Sequence, residues 1–209
     1  DNHRLTNVGM TKSFLAQHQS VSEEKPSPEL QAKKLNEEGV DLVLKGSADT
    51  GVDLFKKGIE LDPNNSTLRY NLAGVYLTLG DIEQALLQSN KSVELNPEDL
   101  SFQHRLGEVY FAAKNFTEAA KIFQKIADLN PEFNEVVFHL GTVYAMQQKW
   151  VEAENALRRA REIYPSHSSI DTNLANVLIM TRKFPEAAAI LEKVSQSEPS
   201  AESNLALGI

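Results

Sequence analysis

The chain has 209 residues, of which 41% are hydrophobic and 24% are charged, a composition typical of a soluble globular protein. It contains no cysteine, which excludes disulfides, thiolate metal sites and cysteine nucleophiles, and its formal net charge of −8 argues against a nucleic-acid partner. No run of apolar residues is long enough for a membrane-spanning helix, so we expect none.

The first 31 residues differ in composition from the rest of the chain. They are rich in Ser, Gln, Asn and Glu, and Pro26-Ser27-Pro28 indicates a stiff linker near their end. We therefore expect residues 1–31 to form an extended N-terminal arm and linker in front of a folded array. The sequence leaves open whether this arm packs on its own chain or on another one.

Prolines mark an internal repeat through the rest of the chain. Five of them follow one another at intervals of 34 residues: Pro63, Pro97, Pro131, Pro165 and Pro199. A fixed period of this length is typical of a solenoid built from repeated supersecondary units. Counting back from each proline gives five blocks, 32–65, 66–99, 100–133, 134–167 and 168–201.

Each block has the pattern of two helices. In the second block, apolar residues recur at helical spacing on both sides of the break Leu79-Gly80-Asp81, and the closing proline cannot continue the second helix. A small residue recurs once in each predicted helix, where it would let the two helices approach closely. The first of these positions holds Gly39, Ala73, Gly107, Gly141 and Ala175, and the second holds Gly51, Ala85, Ala119, Ala153 and Ala187.

This pattern resembles the tetratricopeptide repeat, in which a leucine and a small residue are followed three residues later by a tyrosine, and proline ends the 34-residue unit. Tyr76, Tyr110 and Tyr144 stand at that tyrosine position. The resemblance covers residues 32–201 and implies an all-α fold. We expect a right-handed α-solenoid of five helical hairpins, the tetratricopeptide superhelix.

The resemblance also implies that the first helix of each hairpin lines a concave groove that takes a segment of another protein. One line across this groove would consist of Glu37, Asn71, Arg105, His139 and Asn173. Amide and guanidinium groups there would hydrogen-bond a bound backbone, and aromatic residues would form apolar pockets. The candidate partner-binding residues are Tyr70, Asn71, His104, Arg105, Glu108, Phe111, Phe138, His139, Asn173 and Asn176. The alternative is that these polar side chains simply face water.

Some families with this fold hold a C-terminal carboxylate in a clamp of Lys, Asn, Asn, Lys and Arg. Asn71 and Arg105 match two places of that clamp, whereas Asn36, Val40 and Ser101 occupy the other three. Because both lysines are missing, the sequence does not favour binding of a chaperone tail.

Sequence motifs of catalysis are missing. The chain has no phosphate-binding glycine loop and no nucleophile elbow, so we predict no catalytic residue and no cofactor. His104, Glu108 and His139 have donor atoms that suit a metal, but their spacing matches no known signature, and we predict no metal site. The basic cluster Arg158, Arg159 and Arg161 is expected to lie on a solvated outer face.

Both ends of the chain are unusual. Residues 202–209 include Leu205, Leu207 and Ile209, which indicate the start of a capping or truncated helix. The chain begins with Asp1, as expected for either a fragment or a processed mature protein. Processing and the lack of cysteine would favour a compartment outside the cytoplasm, although the sequence does not determine the compartment.

The pattern as a whole predicts a non-catalytic scaffold or adaptor subunit that holds a partner segment in the concave groove, within a larger assembly. A second hypothesis is a structural homo-oligomer that assembles through the ends of the array. A third is a targeting module of a larger enzyme.

Overall fold

The computed structural model describes residues 26–165 and 167–197. These residues form ten α-helices and no strand, and none of the helices is long and apolar enough to cross a membrane. The helices are α1 (Pro28–Leu44), α2 (Ala48–Leu61), α3 (Ser66–Leu79), α4 (Ile82–Leu95), α5 (Leu100–Ala112), α6 (Phe116–Leu129), α7 (Glu135–Met146), α8 (Trp150–Ile163), α9 (Ser168–Met180) and α10 (Phe184–Ser197). The predicted all-α fold is confirmed. Most of the expected arm, and the expected capping segment 202–209, lie outside the described residues.

Side chains just before the first turn set the starts of several helices. The N-cap residues of α3, α4, α5 and α6 are Asn65, Asp81, Asp99 and Asn115. Each accepts a hydrogen bond from a backbone N–H that the helix leaves without a partner. Helix α1 begins at Pro28, where the missing N–H costs nothing, and the Ser27 hydroxyl accepts from the N–H of Leu30. This helix therefore starts before residue 32, where the first predicted block begins.

A residue with left-handed backbone conformation forms the turn inside each hairpin of the described chain. These residues are Gly46, Gly80, Lys114, Gln148 and Arg182, each 34 residues after the previous one, with φ between 58° and 86°. The sequence predicted a helix break at Gly80, and the structure confirms it. Glycine adopts this conformation freely, whereas a Cβ atom makes it cost about 1–2 kcal/mol.

Close contact between the two helices of a hairpin depends on the small residues. A Cβ atom built on Gly107 would lie 2.5 Å from Cε1 of Phe123, and one built on Gly39 would lie 2.7 Å from Cε1 of Phe55. Both phenylalanines are fully buried. In the second hairpin the corresponding small residue is Ala73. The position that Phe55 and Phe123 hold in the first and third hairpins is there taken by the small Ser89. The predicted role of the small positions is thus confirmed.

The hairpins stack so that the two kinds of helix lie on opposite sides. The backbones of the first helices α1, α3, α5, α7 and α9 approach one another in succession. Successive second helices of the described chain lie farther apart, and a side-chain ion pair between Arg158 on α8 and Glu186 on α10 spans the last of these gaps. The side on which successive helices lie closer together is the inner side of the curve. We call the surface formed by the first helices the inner groove.

The basic cluster on α8 is not merely solvated. Arg158 forms an ion pair with Glu186 of α10 at 2.7 Å, and Arg161 forms one with Asp171 of α9 at 2.7 Å. Arg159 donates to a backbone carbonyl before α7. The exposed Arg159 fits the expected solvated face, whereas Arg158 and Arg161 are half-buried, and the three side chains join the fourth hairpin to its two neighbours.

Candidate partner-binding groove

One repeat position supplies a line of polar side chains along the inner groove. Asn71, Arg105, His139 and Asn173 lie on α3, α5, α7 and α9, and all four are half-buried. Glu37 on α1 is exposed. Successive first helices therefore present these groups side by side, as their 34-residue spacing predicted.

Arg105 lies at the centre of this line and bonds to residues of two hairpins. Its Nη1 lies 2.9 Å from Oε2 of Glu108, one turn further along α5. Its Nη2 donates to the hydroxyl of Tyr70 on α3 at 3.3 Å, and its Cζ lies 5.0 Å from the centre of the Tyr70 ring. Tyr70 in turn stacks on Phe102 with a centroid distance of 5.1 Å. The guanidinium is held by an ion pair, a hydrogen bond and an aromatic face, which leaves it little freedom to move.

Two histidines lie against the same carboxylate. Nδ1 of His104 is 4.0 Å from Oε2 of Glu108, and Nε2 of His139 is 3.7 Å from Oε1. The two imidazole rings lie edge to face with centroids 5.0 Å apart. His104 also packs against Phe123 and Phe133, and its Nε2 is buried without a hydrogen-bond partner.

Burial determines the charge of this cluster. Burial, helped by the charges of His139 and Arg105, lowers the pKa of His104 from 6.5 to about 3. Burial also lowers the pKa of His139, and both imidazoles are therefore uncharged at neutral pH. Burial raises the pKa of Glu108, an effect that the Arg105 guanidinium opposes. The two histidine–glutamate contacts are consequently not ion pairs at neutral pH.

Amide side chains form bridges between neighbouring first helices at both ends of the line. Nδ2 of Asn71 donates to Oδ1 of Asn36 at 2.7 Å, and Nδ2 of Asn173 donates to Oγ1 of Thr142 at 3.2 Å. Each bridge orients one amide and leaves its Oδ1 as an acceptor on the groove surface.

The inner groove contains an apolar cavity of about 510 Å³ beside Asn71 and Arg105. Its volume lies within the range of known ligand pockets, about 300–1,000 Å³. Side chains from the first three hairpins line it, namely Val40, Val43, Leu44, Ala48, Phe55, Tyr70, Asn71, Val75, Thr78, Leu79 and Arg105. A second cavity of about 210 Å³ lies farther along, and Asn173 and Asn176 are among its lining residues.

The structure brings most of the predicted site residues together, but not all of them. Tyr70, Arg105, Glu108 and the two histidines form one contiguous cluster, to which Phe138 adds a contact with His139 at 5.7 Å. Phe111 packs instead against Phe116, with ring centroids 5.6 Å apart. Asn173 and Asn176 belong to the second cavity.

The prediction from sequence missed the apolar cavity, although the amino-acid sequence contained a signal for this cavity. Val40 occupies a repeat position that holds Gly74 in the second block and the polar residues Glu108, Thr142 and Asn176 in the last three. An apolar side chain at a groove position that is polar in most other blocks indicates a local apolar surface, and Val40 does line the cavity. The neighbouring Leu44 is 82% exposed.

Comparison with protein families shows what kind of array this is. One model described as tetratricopeptide repeat matches residues 83–133 and 104–168, a second matches residues 54–87, and a third matches residues 144–207. The chain belongs to the tetratricopeptide repeat family. Repeats of this family generally support protein interaction rather than catalysis. No curated protein matches the sequence at a significant level.

Solved tetratricopeptide repeat structures share the fold. MamA from Desulfovibrio magneticus RS-1 is 19% identical, with a TM-score of 0.73, over 82% of this chain and 97% of MamA. TTC0263 from Thermus thermophilus, a thermophilic tetratricopeptide protein, is 23% identical with a TM-score of 0.68, over 85% of this chain and all of TTC0263. YrrB, described as having an unusual peptide-binding site, is 20% identical with a TM-score of 0.67, over 82% of this chain and 88% of YrrB. These likenesses support the superhelical fold.

Proposed function

We propose that this chain is a non-catalytic interaction subunit that holds a segment of a partner protein in the inner groove, within a larger assembly. Tetratricopeptide arrays serve as protein-interaction scaffolds in general, and YrrB has a peptide-binding site on the same fold. The most direct support in this chain is the apolar cavity bordered by Asn71 and Arg105.

The groups around this cavity suit an extended peptide segment. An apolar side chain of the segment enters the cavity, where it is removed from water and contacts side chains such as Val40 and Leu79. The adjacent backbone meets the Asn71–Asn36 amide pair, whose free Oδ1 accepts from a peptide N–H. Apolar burial thus provides affinity, and the amides set the direction of the chain.

A peptide selected on the purified chain from a displayed library tests the proposal. Its affinity is then measured by fluorescence anisotropy for the wild type and for the double variant Arg105→Ala, His139→Ala. We expect at least a tenfold weaker affinity for the double variant, since it removes the central polar groups of the groove. Far-UV circular dichroism checks that the variant remains helical.

The matched control is Lys121→Ala on the second helix α6. Lys121 is exposed, and its only ion pair within the described chain is a surface pair with Glu118, so this substitution should leave peptide affinity unchanged. Equal affinity of the wild type and the double variant would contradict groove binding and move the interaction to the outer face or the ends.

Self-association is the second candidate function. Apolar side chains are exposed around the turn of the last described hairpin, where Met180 is 59% and Phe184 is 56% exposed. If this surface joins copies of the chain, the molecular mass will rise with concentration, and Phe184→Asp will abolish the rise. A constant monomer mass would exclude this candidate.

A further inference from the structure

Three metal-binding side chains converge in the inner groove. His104 and Glu108 lie one turn apart on α5, and His139 comes from α7 of the next hairpin. One donor atom of each residue lies within 4.8 Å of the other two. Their side chains are between 15% and 28% exposed, so an ion can reach them from the groove.

The distances between these donor atoms are too long for hydrogen bonds but suit a bridging ion. Nδ1 of His104 lies 4.0 Å from Oε2 of Glu108, and Nε2 of His139 lies 3.7 Å from Oε1 of the same carboxylate. Two ligands bound to zinc at about 2.0–2.1 Å in tetrahedral geometry lie about 3.4 Å apart. Small side-chain rotations would therefore bring all three groups to coordinating distance. Nε2 of His104 is buried without a hydrogen-bond partner, so one nitrogen of this ring is not used for bonding within the described chain.

The neighbouring groups fit a metal site as well. Oε2 of Glu108 is held by Arg105 at 2.9 Å, while Oε1 faces His139. A ligating carboxylate commonly has its second oxygen hydrogen-bonded in this way, because the outer bond fixes its orientation. The positive charge of Arg105 lowers the affinity for a cation, although the Tyr70 ring and hydroxyl partly stabilise that charge.

We propose that His104, Glu108 and His139 form a three-ligand site for a divalent transition-metal ion of the zinc class, with water in the remaining position. Two imidazoles and one carboxylate suit zinc and its neighbours, whereas calcium and magnesium prefer oxygen ligands. This proposal departs from the sequence-based expectation of no metal site, which rested on the lack of a known spacing signature.

Zinc titration of the full chain tests this proposal. The protein is purified without a histidine tag, stripped with a chelator and titrated with ZnCl₂ by calorimetry. We expect one equivalent of zinc to bind to the wild type. Co²⁺ in place of zinc should produce the visible absorption of a four-coordinate site with nitrogen and oxygen ligands.

Substitutions that conserve side-chain shape distinguish this site from adventitious binding. Glu108→Gln and His139→Asn should each weaken zinc binding at least tenfold, while thermal unfolding verifies that both variants fold. The matched control is His167→Ala, since His167 is exposed and lies outside the cluster, and its affinity should equal that of the wild type. Unchanged affinity of Glu108→Gln and His139→Asn, or no binding to the wild type, would overturn the proposal. The titration contains no peptide, so its outcome is independent of the partner-binding test.

Discussion

The turn residues show how a single Cβ atom affects this fold. Gly46 and Gly80 occupy the left-handed turn position in the first two hairpins, and Lys114, Gln148 and Arg182 occupy it in the others. A Cβ atom on Gly80 would meet no other atom within 4 Å. Any effect of a substitution there therefore comes from backbone conformation and not from a clash.

We predict that Gly80→Ala lowers the free energy of unfolding by about 1 kcal/mol, because alanine is disfavoured in the left-handed region. Gly80→Asn is the matched control and should cost less, since asparagine tolerates this conformation better. Urea denaturation measures both variants. If alanine and glycine proved equally stable at position 80, the left-handed turn would not be present in solution.

A second prediction concerns the charge of one buried side chain. Glu154 on α8 accepts hydrogen bonds from Arg158, and from Lys183 at 2.8 Å and 2.9 Å. Burial raises its pKa, but the bonds from Lys183 and Arg158 outweigh burial, and the pKa lies below its usual 4.5. The unfolded chain therefore binds the proton first as the pH falls. The stabilisation is complete well above pH 4.5 and is lost as the pH falls through the folded-state pKa.

Glu154→Gln should consequently lower the free energy of unfolding by about 1.5–3 kcal/mol at pH 7, the usual contribution of hydrogen bonds to charged groups. The difference between the variant and the wild type should shrink as the pH is lowered towards 4. Denaturation curves at a series of pH values measure this difference. A difference that is independent of pH would contradict the assigned role of the carboxylate.

At the scale of the helices, the distance between the two members of a hairpin is set by one small residue. Phe123 is fully buried and lies where a Cβ atom on Gly107 would have to go, at 2.5 Å. Its ring cannot move aside, because it also contacts His104 and His139. We predict that Gly107→Ala lowers the free energy of unfolding by about 1–3 kcal/mol, as expected for overpacking of a core.

Gly74→Ala provides the matched control for this prediction, since Gly74 also lies inside a first helix. A Cβ atom there would lie 3.5 Å from the Arg105 guanidinium, an ordinary contact. Alanine favours a helix over glycine by about 1 kcal/mol, so this variant should be as stable as the wild type or more stable. Urea denaturation measures both variants. If Gly107→Ala and Gly74→Ala changed the free energy of unfolding equally, the contact between Gly107 and Phe123 would not limit how closely the two helices pack.

At the scale of the whole molecule, each hairpin contacts only its neighbours in the described chain. The stability of such an array is close to a sum of hairpin terms and neighbour terms. We therefore predict that Glu154→Gln reduces the hydrogen-exchange protection of α9 and α10, because the fifth hairpin loses one of its bonds to the fourth, the one through Lys183. Protection of α1 to α4 should stay at the wild-type level. A uniform loss along the chain would show that the array unfolds as one cooperative unit.

The sequence predicted the features that arise inside a single hairpin. The proline period, the break at Gly80 and the small residue at Gly107 all depend on contacts between residues close in sequence, so pattern alone revealed them. The apolar cavity and the convergence of His104 with His139 arise between hairpins, and they depend on how far one hairpin is rotated relative to the next. The sequence placed His104 and His139 in the same groove and carried a signal for the cavity at Val40, but the rotation that sets the distances between these groups is not contained in a linear pattern. Phe111 illustrates the same limit, since its position suits the groove yet it packs on Phe116 of its own hairpin.

The unequal contacts on the two sides of the stack have a mechanical consequence. The backbones of successive first helices approach one another, whereas those of successive second helices lie farther apart in the described chain. When the ends of the array are pulled apart, the outer side of the described chain has side-chain pairs such as Arg158–Glu186 to break but no close backbone contact between second helices, while the inner side resists. The array then behaves as a spring that is stiff along the inner groove and compliant along its outer edge, and a ligand seated across several first helices would increase its stiffness.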